Sequence, residues 1–407
     1  MNRIYTSSLE NYLRYFPCVV ITGSRQCGKT TVLKGLSDEW KRYDLERQSD
    51  YEIIAGNPDL FLKSNPDKIA IDESQRLPAL FPALRVAIDD DRNKRGRYII
   101  TGSSSPDLLR SVSESLAGRA ATVEMSPFSL EETGQDFSGQ FFECLKLGKH
   151  GLDGLRDLKS RRDIFHINRY WLEGGYPETW VKNDKQFHKL WMEEFEKTYI
   201  ERDISRLFPG MNIDKYRLFV RLLSNLSGSI INYSDVSRAL GVSAPTIRDY
   251  IRIAEGSFMW RHIPSYEKNA VKRIVKHPKG YIRDTGLLHH FLRIRTMDDL
   301  LSHPRMGHSW EGLVIEEIIR GLTSRGISCE YYYYRTGAGA EIDLVLEGDF
   351  GILPIEIKYH SATSRHDLRS MIEFIRERDL PIGIVINNAD RVEKLNEKII
   401  SIPFSAL

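Results

Sequence analysis

A run of small and polar residues near the start of the chain has the composition of a phosphate-binding loop. Residues 23–30 are GSRQCGKT and match the pattern G-x-x-x-x-G-K-[ST] without a gap. The glycines allow backbone N–H groups to curve around a phosphate, and a following helix N-terminus adds a favourable dipole. In this interpretation Lys29 reaches the β- and γ-phosphates of ATP, and the Thr30 hydroxyl is a ligand of Mg²⁺. The residues predicted to bind the nucleotide are Gly23, Ser24, Arg25, Gln26, Cys27, Gly28, Lys29, Thr30 and Thr31.

The flanking residues predict the elements that such a loop requires. CVVITG (residues 18–23) has the composition of a buried strand, and TTVLKGLSDEW (30–40) has the apolar spacing of a helix. Strand, glycine-rich turn and helix follow one another in this order in P-loop proteins. A turn that matches the pattern by chance would lack these flanks.

A pair of acidic residues follows the next apolar segment. KIAIDESQRLP (68–78) predicts a strand that ends at Asp72 and Glu73. Near bound phosphates, Asp72 would hold Mg²⁺ through water, and Glu73 would polarise the attacking water as a general base. An acidic pair at a strand end is by itself more often a turn. Its position downstream of the glycine loop favours the catalytic interpretation.

Two further polar residues are candidates for the same site. GRYIITGSSSP (96–106) predicts a third strand, after which Ser103 or Ser104 would lie beside the γ-phosphate or form an ordinary turn. In SLAGRAATVEM (115–125), Arg119 follows a glycine. This arginine would stabilise transition-state charge, in its own subunit or in a neighbouring one, or it would be a solvated charge.

The last quarter of the chain contains a second group of residues with the spacing of metal-dependent chemistry. Asp343 lies in one apolar strand (AEIDLVLE), and Glu356 and Lys358 lie in the next (PIEIK), after a helix that carries Glu311. This is the pattern of PD-(D/E)XK nuclease-like domains, in which the carboxylates hold a divalent cation and the lysine orients water. Glu-x-Lys alone is common in edge strands, and the same scaffold also binds DNA without cutting it.

Residues 234–251 (SDVSRALGVSAPTIRDYI) have the period of a helix-turn-helix with its turn at Gly241. FMWRHIPSYEKN and KGYIRD predict wing strands, and residues 268–283 are strongly basic, which predicts weakly specific, salt-sensitive phosphate contacts. Winged helices also serve only as packing modules, and this alternative stays open. The recognition-like helix would begin with Ser243, Ala244, Thr246, Arg248 and Asp249.

Composition limits the class of protein. The chain has 407 residues, 28% charged and 41% hydrophobic, as expected for a soluble globular protein of several domains. Its net charge of +2 does not by itself indicate nucleic acid. No membrane span, secretory signal or disulfide framework is predicted, so we expect a cytoplasmic protein without a membrane partner. An accessible thiol at Cys27, inside the glycine loop, would make activity sensitive to oxidants.

The motifs together resemble a known family. VITGSRQCGKTT, IAIDESQRLP, YIITGSSS and SLAGR, in this order and spacing, resemble the AAA-type ATPases of the AAA_14 group, which usually carry a DUF4143 region. The resemblance continues through GGYPE (174–178), YIERDISRL (199–207), KHPKGYIRDTGLL (276–288) and residues 332–358. It implies an ATPase that uses ATP and Mg²⁺ and has a poorly defined, DNA-linked role. It also implies a homo-oligomer, since a hexamer is the usual AAA arrangement.

The predicted architecture has four parts. These are an α/β P-loop AAA-type ATPase core (1–127), a helical lid (128–205), a winged helix-turn-helix (206–298) and a small α/β restriction-endonuclease-like domain (299–407). Three hypotheses for function follow. The first is an ATPase that binds, remodels or translocates DNA, including branched or damaged DNA. The second is an ATP-gated, metal-dependent nuclease, and the third is a nucleotide-dependent signalling or scaffold protein without DNA activity.

Overall fold

The computed structural model describes most of the chain: residues 3–102, 112, 114–205, 208, 210–267, 277–337, 339–360 and 368–407, with only the backbone at residue 203. The predicted sensors Ser103 and Ser104, and residues 268–276 of the basic segment, lie outside the described residues. Among the helices that are described, none is long and apolar enough to cross a membrane.

The first part of the chain is a five-stranded parallel sheet in the order β2-β3-β4-β1-β5. Alternate strand residues point to opposite faces. Val20 and Ile100 therefore pack against the helices α3, α4 and α5, whereas Val19 and Ile99 pack against α1 and α2. The strands are β1 (Cys18–Gly23), β2 (Lys41–Asp44), β3 (Ile69–Asp72), β4 (Tyr98–Thr101) and β5 (Ala120–Met125); the helices are α1 (Tyr5–Tyr15), α2 (Lys29–Lys34), α3 (Gln48–Ala55), α4 (Pro58–Ser64) and α5 (Leu80–Asp90).

Residues 128–205, predicted as a lid, are largely helical and divide their contacts between two cores. Leu130 and Trp171 are buried in the core of the C-terminal part, whereas Trp191 and Phe195 are buried in the core of the middle part. The helices are α6 (Leu130–Gly134), α7 (Gln140–Lys146), α8 (Ile164–Glu173), α9 (Pro177–Lys182) and α10 (Lys185–Lys197), with a 3₁₀ segment at Gly148–Asp157 and a π-helical segment at Thr198–Ile204.

The middle part contains the two helices predicted for the helix-turn-helix. α11 (Ile213–Asn225) precedes them; they are α12 (Tyr233–Leu240) and α13 (Ala244–Gly256). Gly241 between them has a left-handed φ of 62°, a conformation that favours glycine and ends α12. A small antiparallel sheet in the order β6-β8-β7 flanks them in the chain, with β6 before α12 and β7 and β8 after α13, and α14 closes this part. The remaining bounds are β6 (Ser229–Ile230), β7 (Trp260–Ile263), β8 (Lys279–Ile282) and α14 (Thr285–Leu292).

The C-terminal part is a six-stranded mixed sheet in the order β13-β14-β12-β11-β10-β9, packed against one long helix, α16. Strands β9 to β11 are antiparallel, and β12 and β14 join them in parallel. The helices are α15 (Met297–Ser302), α16 (Met306–Ser324) and α17 (Arg369–Arg378); the strands are β9 (Cys329–Arg335), β10 (Glu341–Gly348), β11 (Gly351–Ile357), β12 (Gly383–Asn387), β13 (Glu393–Lys394) and β14 (Ile399–Pro403).

Candidate functional site

The glycine loop leaves the end of β1 and leads directly into α2. Gly23 has a φ of 145°, and a Cβ there would lie 1.9 Å from the carbonyl oxygen of Met125, so no side chain fits. Gly28 has a left-handed φ of 102° immediately before Lys29, the first residue of α2. The two glycines of the motif therefore lie where the backbone requires glycine.

The side chain of Lys29 lies across the loop that precedes it. Its ammonium donates to the carbonyl oxygen of Gly23 at 3.0 Å and to that of Ser24 at 2.8 Å. The residue is only 6% exposed. The positive charge is thus held against the loop, where the phosphates of a nucleotide would be bound.

The acidic pair lies at the same edge of the sheet. Asp72 ends β3 and is 4% exposed, and its carboxylate accepts hydrogen bonds from the Thr101 hydroxyl and, at 3.2 Å, from the Glu73 N–H. Thr101 ends β4 and pairs with Ile21 of β1, so β4 joins the acidic pair to the glycine loop. The carboxyl ends of parallel strands are where open α/β sheets bind their ligands.

Glu73 has an unusual backbone conformation. Its φ is 54°, in the left-handed region that residues with a side chain seldom adopt. The N–H also approaches the Thr101 hydroxyl oxygen at 3.3 Å, and the carboxylate accepts a hydrogen bond from the Gln75 amide. Restricted conformations of this kind concentrate at functional sites, because the surrounding contacts must hold them in place.

The residues present fit a nucleotide-bound Mg²⁺. Thr30 is exposed in the first turn of α2, and Asp72 supplies a buried carboxylate. Hydroxyl, carboxylate and phosphate oxygens are the ligands that Mg²⁺ prefers.

Arg3 is a part of this site that the sequence did not predict. Its guanidinium donates to the carbonyl oxygen of Cys27 in the loop, to that of Ser126 at 2.8 Å, and to the Glu132 carboxylate at 2.6 Å. These partners are between 24 and 129 residues away along the chain. No local sequence signal marks Arg3, because its role depends only on tertiary contacts.

The hypothesis of an accessible thiol at Cys27 is wrong. Cys27 is fully buried, and its Sγ lies 3.4 Å from the carbonyl oxygen of Met125. Oxidants react with exposed thiolates, so a thiol packed beneath the loop is protected.

Arg119 forms a contact within its own chain. Nε and Nη2 donate to the Asp89 carboxylate on α5 at 2.8 and 2.7 Å, and Nη1 donates to the carbonyl oxygen of Ala117 at 3.0 Å. The hydrogen bond with Arg119 lowers the pKa of Asp89. The side chain of Arg119 is 21% exposed. A role at a nucleotide would require this pair to separate.

A network of charges, buried except for the half-buried Glu124, joins the parallel sheet to the rest of the chain. Glu124 on β5 accepts a hydrogen bond from Arg283 at 2.5 Å. Glu316 on α16 pairs with Arg261 and lies 3.5 Å from Arg283. Arg283 belongs to the predicted basic segment, but it is buried in this network and is not part of an exposed DNA surface. The adjoining small cavity is lined by Ser24, Met125, Ser126, Pro127, Tyr176, Phe258, Met259, Arg283, Asp284, Leu287 and Arg320.

The four residues predicted for a nuclease-like site come together around one open pocket of about 420 Å³. The Asp343 carboxylate accepts a hydrogen bond from the Ile357 N–H at 2.8 Å, and Lys358 donates to Glu356 at 2.7 Å. The pocket is lined by Gly228, Ser229, Ile230, Lys279, His308, Glu311, Arg335, Glu341, Asp343, Glu356 and Lys358.

A second lysine, not predicted for this pocket, lies among the carboxylates. Lys279, the first residue of β8, places its ammonium 2.5 Å from Glu311, 3.0 Å from Glu341 and 3.8 Å from Asp343. This residue also belongs to the predicted basic segment, and it too is buried in internal ion pairs. Among the residues the structure describes, no group of three or more His, Cys, Asp or Glu side chains is arranged to hold a metal.

Burial dominates the titration of the pocket's carboxyl groups. It raises the pKa of Glu311 to about 7 and that of Glu356 to about 8, and the charge of Asp343 adds to both effects. Burial alone would lower the pKa of Lys279, but Glu311, Asp343 and Glu341 together raise it above its usual value. The carboxylates around Lys279 thus favour its charged form, whereas burial favours the neutral forms of Glu311 and Glu356.

A parallel sheet with a glycine loop after β1 and an acidic pair after β3 defines a P-loop ATPase core of the α/β class. The family model AAA_14, described as an AAA domain, matches residues 15–134. Two domains of unknown function follow, DUF8612 over 164–298 and DUF4143 over 306–407. DUF8612 spans the boundary that we predicted between a lid and a winged helix.

Relatives extend over nearly the whole chain. The uncharacterized protein Rv2008c of Mycobacterium tuberculosis is 31% identical over 397 residues, which cover 97% of this chain and 82% of the relative. The uncharacterized protein MJ1544 of Methanocaldococcus jannaschii is 21% identical, with coverage of 92% and 83%. The chain belongs to the AAA_14/DUF4143 family of AAA-type P-loop ATPases.

Solved structures resemble the chain more distantly. The Walker-type ATPase PABY2304 of Pyrococcus abyssi has a TM-score of 0.42 and 15% identity, covering 71% of this chain and 94% of its own. The RuvB Holliday junction branch migration motor of Thermotoga maritima has a TM-score of 0.29 and 15% identity, covering 64% and 89%. Scores this low add nothing to the assignment of individual residues.

Proposed function

We propose that this protein hydrolyses ATP and uses the energy to act on DNA. The observation that carries the first half is the position of the glycine loop and the Asp72–Glu73 pair at one edge of a parallel sheet. Hydrolysis requires a phosphate cradle, a bound cation and a group that activates water. The residues of this edge have the chemistry for all three.

Each residue has a distinct role in this proposal. Lys29 neutralises charge on the β- and γ-phosphates, and the loop backbone surrounds them. Thr30 and Asp72 would hold Mg²⁺, which neutralises phosphate charge when bound. Glu73 accepts a hydrogen bond from the attacking water and takes up its proton.

The DNA half of the proposal rests on α12 and α13 as a winged helix-turn-helix with the β6-β8-β7 sheet. Ser243 caps α13 by accepting a hydrogen bond from the Thr246 N–H at 3.3 Å, and Arg248 is exposed in its first turns. Arg238 and Arg252 are 78% and 77% exposed, each paired with an aspartate three residues earlier. Exposed pairs of this kind are weak, so both arginines are available to exchange a carboxylate for a DNA phosphate.

ATPase activity should be stimulated by one shape of DNA among linear, forked and four-way molecules. Because phosphate contacts release counter-ions, we expect the stimulation to fall steeply as salt is raised. Arg248→Ala with Arg252→Ala should weaken the stimulation and leave DNA-free turnover unchanged. Arg369→Ala is the matched control, because Arg369 is also 77% exposed but lies on α17 in the C-terminal part.

If the protein has no affinity for DNA at low salt, with or without ATP, the DNA half of the proposal is wrong. An ATP-hydrolysing signalling or scaffold protein would then be the better assignment.

A metal-dependent DNA nuclease is the second candidate. It is supported by Glu311, Asp343, Glu356 and Lys358 around one pocket. Two ammonium groups oppose it: Lys279 lies 2.5 Å from Glu311 and 3.8 Å from Asp343, and Lys358 donates to Glu356 at 2.7 Å, so the pocket's carboxylates already have cations beside them. Cutting of DNA by the wild-type protein in Mg²⁺ or Mn²⁺, abolished by Asp343→Ala, would restore this candidate.

A homo-oligomer, with a hexamer as the usual AAA arrangement, is part of the same proposal. In that assembly Arg119 would exchange Asp89 for a phosphate bound to a neighbouring subunit. The partial exposure of this pair is compatible with such an exchange. Sedimentation with and without ATP measures whether the chain assembles.

A further inference from the structure

Arg3 ties the glycine loop to two other segments of the chain. The residue is 7% exposed, and its guanidinium lies over the Phe128 ring at 4.9 Å. It donates to Glu132, to the carbonyl oxygen of Ser126 and to that of Cys27. The planar guanidinium has five N–H donors in a rigid fork, so it can satisfy these acceptors at once.

The contact with Cys27 determines the direction of the next peptide group. In a trans peptide the C=O and the following N–H point to opposite sides. Because the Cys27 carbonyl points toward Arg3, the Gly28 N–H points away from it. A Cβ on Gly28 would lie 3.2 Å from Nη1 of Arg3, so the guanidinium packs directly against this glycine.

Glu132 gives Arg3 a fixed anchor. Its carboxylate accepts hydrogen bonds from the Ser129 N–H at 3.0 Å and from the Ile4 N–H at 3.1 Å. Ser129 in turn caps α6 by accepting from the Glu132 N–H at 3.2 Å. The carboxylate is therefore held by the start of a helix, and the arginine is held by the carboxylate.

We propose that Arg3 is a positioning residue of the nucleotide site, which orients the Cys27–Gly28 peptide of the loop toward bound phosphate. The inference rests on the proposed ATPase function. Arg3, which precedes α1, thus supplies part of the preorganisation of the phosphate-binding backbone that the glycine motif is expected to supply alone.

The test compares Arg3→Met and Arg3→Lys with Arg97→Met. Arg97 is a matched control because it is 5% exposed and donates to the carbonyl oxygens of Pro66 and Ala87 at 2.9 and 2.8 Å. It lies immediately before β4, at the end of the strands that is opposite to the glycine loop. The measurements are ADP affinity, KM for ATP, kcat and the thermal unfolding temperature.

We expect Arg3→Met to weaken ADP binding and raise KM by about tenfold or more, because a charge-assisted hydrogen bond to the loop is lost. Arg3→Lys keeps a cation beside Glu132 but lacks the guanidinium that also reaches Cys27. Its unfolding temperature should therefore return to that of wild type, whereas its KM should stay raised. Arg97→Met should lower the unfolding temperature and leave KM unchanged.

Two results would overturn this assignment. One is ADP affinity in folded Arg3→Lys and Arg3→Met equal to wild type; the other is an equal rise in KM for Arg97→Met. Failure of the wild-type protein to bind nucleotide at all would instead show that the proposed function is wrong.

Lys279 supports a second, independent inference. A nuclease-like pocket is expected to hold a divalent cation between its carboxylates. In this chain the Lys279 side chain is 6% exposed and pairs with Glu311, itself 12% exposed, which also accepts a hydrogen bond from the Tyr281 hydroxyl at 2.5 Å. The pocket therefore does not fit a metal in this arrangement.

We propose that Lys279 is the resident cation of the acidic pocket, and that the pocket joins strand β8 of the middle part to the C-terminal sheet without a metal. β8 carries Lys279, whereas Glu311, Glu341 and Asp343 belong to α16 and β10. Each ion pair thus crosses the boundary between the two parts. A buried charge that loses its partner is strongly destabilising, so the lysine makes this contact specific.

The first measurement is Mn²⁺ binding to the nucleotide-free protein. Wild type and Asp343→Asn should bind the same amount of Mn²⁺, because the wild-type pocket contributes no metal site. One additional Mn²⁺ ion bound by wild type and lost in Asp343→Asn would overturn the proposal.

The second measurement is thermal unfolding in EDTA and in Mg²⁺. Lys279→Met should lower the unfolding temperature by roughly 5–10 °C in both. Arg335→Met is the matched control; Arg335 is 52% exposed and lies 3.9 Å from Glu341 at the pocket rim, so we expect a change below about 2 °C. Adding Glu311→Gln to Lys279→Met should recover part of the loss. Equal effects of Lys279→Met and Arg335→Met would contradict the proposal.

Discussion

Replacing Lys29 with alanine should abolish measurable ATP hydrolysis. The ammonium group is the charge that the glycine loop brings to the phosphates, and alanine also removes its hydrogen bonds to Gly23 and Ser24. Loss of one preorganised donor at a developing charge lowers kcat by about 10²–10³-fold. We expect ADP affinity to fall as well, because the same charge acts in the ground state. Phosphate release and titration with a fluorescent ADP analogue measure the two effects.

Lys34→Ala is the control for this substitution. Lys34 ends the same short helix and is exposed, so its loss removes the same charge without touching the loop. Turnover by Lys34→Ala should equal that of wild type. If Lys29→Ala also turns over normally, the glycine loop is not the site of hydrolysis.

Replacing Glu73 with glutamine should separate binding from hydrolysis. Glutamine keeps the size of the side chain but cannot take a proton from water at neutral pH. Loss of a general base lowers kcat by roughly 10²–10⁴-fold. ADP affinity should stay within about twofold of wild type, because Glu73 acts on the attacking water and does not hold the phosphates. Single-turnover hydrolysis and ADP titration on the same preparation test both expectations.

Glu46→Gln is the comparison for Glu73→Gln. Glu46 also follows a strand of the sheet, β2, but it is exposed and lies two residues beyond the strand end. It should leave kcat unchanged. A Glu73→Gln protein that has lost nucleotide binding together with its unfolding temperature would show that Glu73 supports the turn after Asp72 and is not the base.

Each part of the site that was predicted from the sequence is a short run of consecutive residues. GSRQCGKT specifies its own turn, because Gly23 and Gly28 lie at the backbone angles that require glycine. Asp72 and Glu73 were predicted because a short apolar strand ends at an acidic pair. Helices α12 and α13 were predicted on the same local grounds, with Gly241 at the turn.

Residues whose function depends on distant contacts were missed. Arg3 and Thr101 reach the site only because the sheet brings the N-terminus and the end of β4 beside the loop and Asp72. Lys279 was counted as one charge in a basic segment, since nothing local indicates that three carboxylates surround it. The burial of the Cys27 thiol was not predicted for a similar reason, so oxidant sensitivity was left as a hypothesis.

The sequence by itself determined the class of this protein, because a phosphate loop and a strand-end acidic pair are set by backbone conformation and short-range spacing. It also determined which residues have the chemistry for a second, acidic site. The tertiary structure decided what those charges do. Lys279 and Arg283 are cations in the sequence, but burial beside Glu311 and Glu124 turns them into internal partners. A count of charges cannot distinguish a cation that faces water from one that faces a carboxylate. A cation that faces water can bind a DNA phosphate. A cation that faces carboxylates holds two parts of the chain together and occupies the place of a metal ion.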